Sequence, residues 1–398
     1  MKNQDIIVVS QQAWDTEIGS NCKNIALEFA KDNRVLYINF PLDRISKFRG
    51  GQDPKIKKRL NVINGKENGL VQIDANLYNL YPNCLIESIN WISSTTIFKL
   101  LNKINNKRLV KSISPILKQL EFKDFILFND SDMFRSFYLI ELLKPKLSIY
   151  YSRDNMIATD YYKRHGKLLE AELIAKSNLC VANSEYLKNY CQQFNANSFY
   201  VGQGCDFAIF DQPIIAQVSA ELQELKFPII GYVGVLTVAR LDIDLIYYIA
   251  FNKPEWNIVL VGPEDVAFKE SKLHDLKNTH FLGAQPPEDL PKYINFFDIC
   301  FNPQILNDLT VGNYPRKIDE YLALGKPTIA TRTETMDVFK EHVYLANTKE
   351  QYVEGIESLI KHNTKELEEA RKKFALSHTW KNSVNAIYNA VNQAKKLE

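Results

Sequence analysis

The stretch Asn307-Asp308-Leu309-Thr310-Val311-Gly312-Asn313-Tyr314-Pro315-Arg316-Lys317-Ile318-Asp319-Glu320-Tyr321-Leu322-Ala323-Leu324-Gly325-Lys326-Pro327 carries the residues whose types and spacing point most directly to chemistry. It reads as a loop opening a helix, a glycine ending it, and the start of a strand. Gly312 and Asn313 allow a backbone turn that exposes amide N–H groups; Tyr314 continues it, and Pro315 suits the first helical turn. Such a terminus attracts phosphate, because its first N–H groups lack partners within the helix and the helix dipole is positive there. Lys317 adds a full positive charge. Glu320 follows about one turn later on the same face, where a carboxylate can accept both hydroxyl protons of a ribose. On spacing alone, a solvated Lys317–Glu320 pair with Gly325 as C-cap explains the same residues equally well.

Other fragments could share in such a site. Gly231-Tyr232-Val233-Gly234-Val235-Leu236, with Arg240 downstream, is a buried strand ending in a glycine turn, and Val261-Gly262-Pro263 repeats the pattern. Phe281-Leu282-Gly283-Ala284-Gln285-Pro286 is a third strand end. In the first half, Asn129-Asp130-Ser131-Asp132 is a D-x-D after an apolar strand, and Tyr150-Tyr151-Ser152-Arg153-Asp154 ends another. A D-x-D can hold a divalent metal, but strand-end aspartates are often turn formers. Asp154 suits a hydroxyl-binding or basic role, and suits equally the cap of a following helix.

The elements that must position these residues alternate. Ile6–Ser10, Val35–Phe40, Phe125–Asn129, Leu147–Tyr151 and Leu179–Asn183 read as strands, with helices at 22–31, 97–120 and 163–177 and an irregular region at 41–92. The pattern restarts with strands at 228–233, 257–261, 279–282, 299–302 and 327–331 and a helix at 316–324. The fold expected is α/β: two facing Rossmann-like, doubly wound domains with a cleft between them, residues 1–206 and 207–378. A final helix, 379–398, with Trp380, Val384, Ile387, Tyr388 and Val391 on one face, is expected to pack back on the first domain.

Composition narrows the function classes. The chain of 398 residues has a net charge of only +2, so no global field calls for nucleic acid. Its six cysteines show no C-x-x-C pair and its histidines no metal-ligand spacing, so neither a metal nor another cofactor is expected. The first residues lack the apolar core and cleavage site of a signal peptide, and no run approaches a membrane span. A reducing, cytoplasmic location is expected. Lysines at 99, 103, 107, 111 and 118 interleave with Ile97, Leu100, Leu101 and Ile104, a composition that suits an acidic membrane surface. Peripheral contact with anionic membrane, at its inner face, is therefore a further expectation.

The long stretch at 307–327 resembles the donor-site signature of GT-B glycosyltransferases of the GT4-like kind, in the pattern N-x-L-T-x-x-x-x-P-x-K-x-x-E-Y-L-A-x-G-K-P, a group that includes bacterial polysaccharide and teichuronic-acid-type transferases. The resemblance implies a UDP- or GDP-sugar donor, with Lys317 on its diphosphate and Glu320 on its ribose. It also implies phosphate contacts from Gly234 and Arg240, and donor-side places for Gly19, Gly262, Gln285 and the turn Gly312 to Pro315. Asp154 stands where many members place a histidine that touches the donor sugar. Gly312 stands where many carry the first of two glutamates spaced E-x7-E. The expectation is a metal-independent transfer to a glycan or lipid-linked acceptor in cell-surface polysaccharide synthesis, with Asp154 or Asp130 as base if the reaction inverts. Two alternatives remain: a nucleotide-sugar epimerase of the same fold, and a non-catalytic sugar- or nucleotide-binding protein.

Overall fold

A computed structural model describes residues 1–16, 20–49, 53–210 and 218–394. The chain divides into two compact units, Met1–Gly202 with Trp380–Glu398, and Gln203–Thr379.

Unit 1 is built on eight strands: β1 Asp5–Ser10, β2 Arg34–Ile38, β4 Leu70–Asp74, β5 Leu77–Leu80, β7 Phe125–Asp130, β8 Leu147–Ser152, β9 Leu179–Ala182 and β10 Ser198–Tyr200. Their order is β10-β9-β8-β7-β1-β2-β5-β4, parallel except for the β4–β5 pair. A separate two-stranded sheet joins β3 Leu42–Asp43 to β6 Leu85–Ile86. The central strands are buried along nearly their whole length, as befits parallel strands covered on both faces. The chain leaves β1 toward β2 and later returns on the other side at β7. Ser10 and Asp130, paired in register, mark the carboxyl edge at that reversal.

Unit 2 is a six-stranded parallel sheet ordered β13-β12-β11-β14-β15-β16. Its strands are β11 Ile229–Val233, β12 Asn257–Val261, β13 Thr279–Phe281, β14 Ile299–Asn302, β15 Thr328–Thr331 and β16 Tyr344–Ala346. The reversal falls between β11 and β14, where doubly wound sheets bind ligands. The helix Arg316–Ala323 leads from β14 to β15 and buries Ile318, Tyr321 and Leu322 in the core.

The last helix, Trp380–Ala394, packs Trp380, Val384, Ile387, Tyr388 and Val391 into the core that holds β1 and the helix Asn21–Phe29. Tyr388 stacks on Phe29 at 5.8 Å and accepts a hydrogen bond from Asn33 at 3.0 Å.

Residues 41–92 depart from expectation. They are not irregular: they form β3 to β6 and the helices Arg44–Arg49 and Pro54–Ile63. The second of these is capped by Asp53 and buries only Arg59 and Val62.

Candidate functional site

The carboxyl edge of unit 2 gathers the donor-type residues. β11 ends in Gly234, at φ +144°, and β12 in Gly262, at φ +150°. The two turns touch: the Gly234 N–H donates to the Val261 carbonyl at 2.8 Å, and a Cβ on Gly262 would lie 1.9 Å from the Gly234 oxygen. No side chain fits there. A Cβ on Gly234 would lie 2.9 Å from both the Lys317 Nζ and the Tyr232 hydroxyl. The Lys317 ammonium sits 4.0 Å over the Tyr232 ring and donates to its hydroxyl. Among the described residues no carboxylate forms an ion pair with Lys317. Its charge is thus held beside bare backbone, an arrangement that suits phosphate.

Tyr321 fixes this geometry. Its buried hydroxyl accepts from the Val233 N–H at 3.0 Å, pinning the end of β11 to the helix that carries Lys317. Neither tyrosine was expected to matter; Tyr321 stands inside the signature, and its burial at helical spacing from Ile318 was the available signal.

Glu320 is half-buried on the same helix. Burial pushes its carboxyl above the usual range and Asp319 adds to this, while Arg316 and Lys317 pull it down. Asn307 and Thr310 shape the preceding loop. The Asn307 carboxamide oxygen accepts from the Leu309 and Thr310 N–H groups, and its Nδ2 donates to the Ala239 carbonyl at 3.0 Å.

The turn at 312–315 differs in part from expectation. Pro315 is the N-cap, and the helix begins at Arg316. The Asn313 N–H is spent on the Thr310 carbonyl at 3.2 Å, and that of Arg316 on Tyr314 at 3.1 Å. Gly312 and Asn313 are buried, with the Asn313 Oδ1 unpartnered among the described residues. The Tyr314 ring lies in the core against Phe339, its hydroxyl 3.2 Å from His378 Nδ1. Fewer amides are therefore open here than a bare helix start provides. The Arg240 side chain is exposed at the rim, its backbone carbonyl accepting from Ile305 at 3.0 Å. Gln285 is tied into its own loop, donating to Leu282 at 2.7 Å and accepting from Tyr293 at 3.0 Å. Gly19 lies outside the described residues.

Unit 1 holds the remaining candidates at its own reversal. Asp130 is fully buried, accepting from Ser10 Oγ and from Arg153 Nε, both at 2.8 Å. Each of its carboxylate oxygens accepts one of these hydrogen bonds, so Asp130, expected as a base, is held here between Ser10 and Arg153. Asp132 is likewise spent on Ser136 and the Arg135 N–H. Arg153 also donates to Asp154 at 2.8 Å. Burial works against the Arg153 charge, but Asp130 and Asp154 outweigh it and hold the guanidinium above its ordinary pKa. The Asp154 side chain keeps 37% of its surface exposed. Its carboxylate accepts from Arg153 Nη1.

No helix among the described residues is long and apolar enough to cross a membrane, and none of the six cysteines is in a disulfide.

Comparisons with known proteins bear on the domain and the fold. Residues 218–376 match the family model described as Glycosyl transferases group 1. TuaH of Bacillus subtilis (strain 168), whose name assigns it as a glycosyltransferase to teichuronic acid biosynthesis, is 26% identical over 250 residues. The match covers 61% of this chain and spans only 57% of that relative's length. Among solved structures, sucrose-phosphate synthase of Thermosynechococcus elongatus superposes with a TM-score of 0.67 at 12% identity, covering 100% of both chains. HepE of Anabaena, in complex with UDP, gives 0.63 at 14% identity, covering 99% of this chain and 100% of that one. Residues 218–376 thus carry a glycosyl transferases group 1 domain, and the chain's two Rossmann-like units share their fold with solved GT-B structures.

Proposed function

We propose that the protein moves a sugar from a nucleotide-diphosphate sugar, a UDP- or GDP-sugar, to a glycan or lipid-linked acceptor in cell-surface polysaccharide synthesis. One observation carries the reading: among the described residues the Lys317 ammonium stands without a carboxylate partner, beside the side-chain-free turn at Gly234. The donor diphosphate would lie on the Gly234 and Gly262 turns, with Lys317 and the Arg240 rim side chain meeting the charge that grows on the leaving group. Two cations in those places make transfer without a metal the expected mode. Glu320, Gly312, Asn313 and the backbone at Tyr314 and Pro315 are proposed for the nucleoside side, and Gln285 for shaping the loop beside it. On unit 1, Asp154 is the proposed acceptor-side carboxylate, positioned by Arg153. The proposed location is the cytoplasm, where six cysteines without a disulfide are at home. Support for the donor class comes from the UDP in the HepE complex.

Thermal shift with UDP, GDP, ADP, TDP and CMP, with and without EDTA, tests the site. One nucleoside diphosphate at 100 times its dissociation constant should add about 2.7 kcal/mol. EDTA should not alter the shift, and Lys317→Ala and Glu320→Ala should abolish it. A shift that survives both substitutions refutes the assignment. Asp154→Asn should keep the shift yet lower turnover to acceptor by roughly 10²–10⁴-fold.

A further inference from the structure

Asp319 carries a carboxylate into the core of unit 2. It lies between Lys317 and Glu320 on the helix Arg316–Ala323, yet it is buried with Ile318, Tyr321 and Leu322, and none of its surface is exposed. A charge in such a place is kept only where it is paired and hydrogen-bonded. Cys205 Sγ donates to its Oδ2 at 3.2 Å, and His378 Nδ1 lies 2.7 Å from its Oδ1. A carboxylate only accepts, so the imidazole Nδ1 carries the hydrogen of that bond. Burial, with the Asp319 charge next, pushes the Cys205 thiol well above its ordinary pKa, so the thiol keeps the hydrogen it donates. The imidazole is held from other sides too. Phe374 meets it edge-on at 4.6 Å and Phe339 at 6.1 Å, and the Tyr314 hydroxyl lies 3.2 Å from Nδ1.

The two donors come from particular places in the chain. It passes between the units twice, at Gly202–Gln203 and at Thr379–Trp380. Cys205 and His378 stand just inside unit 2 at those two passages. Their backbones are joined as well: the Cys205 N–H donates to the His378 carbonyl at 2.9 Å, and Cys205 bridges Thr379 as a parallel partner. One carboxylate therefore receives the chain both where it enters unit 2 and where it leaves. It does so on the helix that presents Lys317 and Glu320. Tyr321, on that same helix, is the tie in the other direction, accepting from the Val233 N–H at the end of β11.

Stability alone does not account for the cluster. Apolar residues of similar volume in place of a buried ionic group are often as stable or more so. The surroundings would accept them, since Phe339, Phe374 and Ala375 belong to the same hydrophobic core. Apolar contact, however, tolerates sliding, whereas hydrogen bonds from two fixed donors to one carboxylate are directional and admit a single register. A register error in this helix would displace Lys317 and Glu320 together.

We propose that Asp319 is a positioning residue of the donor site: by holding Cys205 and His378 it fixes the register of the helix Arg316–Ala323 against the two passages of the chain, and with it the places of Lys317 and Glu320. This rests on the transferase reading, which makes that helix the one that meets the nucleotide.

The test measures UDP and GDP affinity by calorimetry on the full chain, beside the urea midpoint of each variant. Asp319→Asn keeps both bonds in kind: its Oδ1 accepts from Cys205, and its Nδ2 donates to the imidazole once the ring takes its other tautomer. Its dissociation constant for the preferred nucleotide should stay within about fivefold of wild type, the size of one ordinary hydrogen bond. Cys205→Ala/Asp319→Leu/His378→Phe removes the bonds and refills the space with apolar groups, so its urea midpoint should stay near wild type. Its nucleotide affinity should nevertheless fall about 10- to 100-fold, since a misplacement of about 1 Å can cost that much. Unchanged affinity in the apolar variant overturns the proposal. So does a loss that Asp319→Asn shares in full, which would assign the effect to charge, or one that only follows a falling urea midpoint. Failure of both variants to fold makes the cluster structural and overturns it too. The nucleoside diphosphate shift of the wild type separates the two readings. If it is present and the apolar variant binds equally well, only the positioning inference falls; if it is absent, the transferase reading falls instead.

Discussion

The carboxyl edges of the two sheets solve the same topological situation in opposite ways. At the reversal in unit 2 the chain withholds side chains: Gly234 and Gly262 leave bare backbone, and a single ammonium, Lys317, stands beside it without a counter-ion among the described residues. At the reversal in unit 1 the chain fills the edge. Ser10, Asp130, Arg153 and Asp154 form one hydrogen-bonded row in which two carboxylates share one guanidinium. Reversal in a doubly wound sheet opens a crevice in both cases. What the crevice can bind is then decided by whether its charges are already matched. Unit 2 keeps an unmatched cation; unit 1 is matched inside and leaves only the rim carboxylate, Asp154, partly in reach of solvent.

The contrast can be broken by experiment. The largest effect is expected for Arg153→Met, which leaves the Asp130 carboxylate buried and unpaired at a cost of about 3–5 kcal/mol in urea unfolding. Adding Asp130→Asn should recover most of that loss. If Arg153→Met keeps the wild-type midpoint, the row in unit 1 is not the matched structure described. Next is Lys317→Ala: transfer should fall by roughly 10²–10³, about 2.7–4 kcal/mol, with the urea midpoint nearly unmoved, because no ion pair is broken. A large stability loss there would make Lys317 a structural cation and erase the difference between the edges.

Glu170 sharpens the picture within unit 1. Burial raises its carboxyl to about 7, against hydrogen bonds from Tyr150 and Tyr190 that favour the charged form. The folded state therefore keeps this proton to higher pH than the unfolded chain does. Its contribution is complete below about pH 4.5 and is lost as pH rises through 7, amounting to about 3 kcal/mol. Glu170→Gln should flatten that decline between pH 5 and 8.5, as read from urea midpoints. The smallest effect is expected for Gln285→Ala. It frees the Tyr293 hydroxyl and the Leu282 carbonyl, so about 1 kcal/mol of stability should go, with a modest loss of nucleotide affinity.

Both sheets were legible because their strands are short apolar runs between turn signals, and most observed strands begin or end within a residue or two of the expected bounds. The signature at 307–327 also disclosed its helix and its lysine. Less legible was anything set by contact between distant segments. Asp130 looked like an available carboxylate because the sequence does not show Arg153 folding onto it from the next strand. Tyr314 looked like a turn residue open to ligand, while His378 and Phe339, more than 20 positions away, claim its side chain for the core. The helix begins at Arg316 as expected, with Pro315 as its N-cap. The helix Pro54–Ile63 escaped notice because it is short and buries only Arg59 and Val62, although Ile56, Leu60 and Ile63 recur at helical spacing.

The return of the chain at Trp380 has a consequence for how the protein is made. Unit 1 is written in two pieces, with all of unit 2 between them. As the polypeptide leaves the ribosome, residues 1–202 emerge before unit 2 but lack Trp380, Ile387 and Val391 from their core until unit 2 has been synthesised. The face of Ile25 and Phe29 that those residues cover waits, open, through the synthesis of 177 intervening positions, from Gln203 to Thr379. Unit 2, being continuous, can complete itself first. The amino-terminal unit is therefore the second to finish. During that interval the nascent chain offers an apolar patch to chaperones, and release of the chain before position 380 would leave it permanently uncovered.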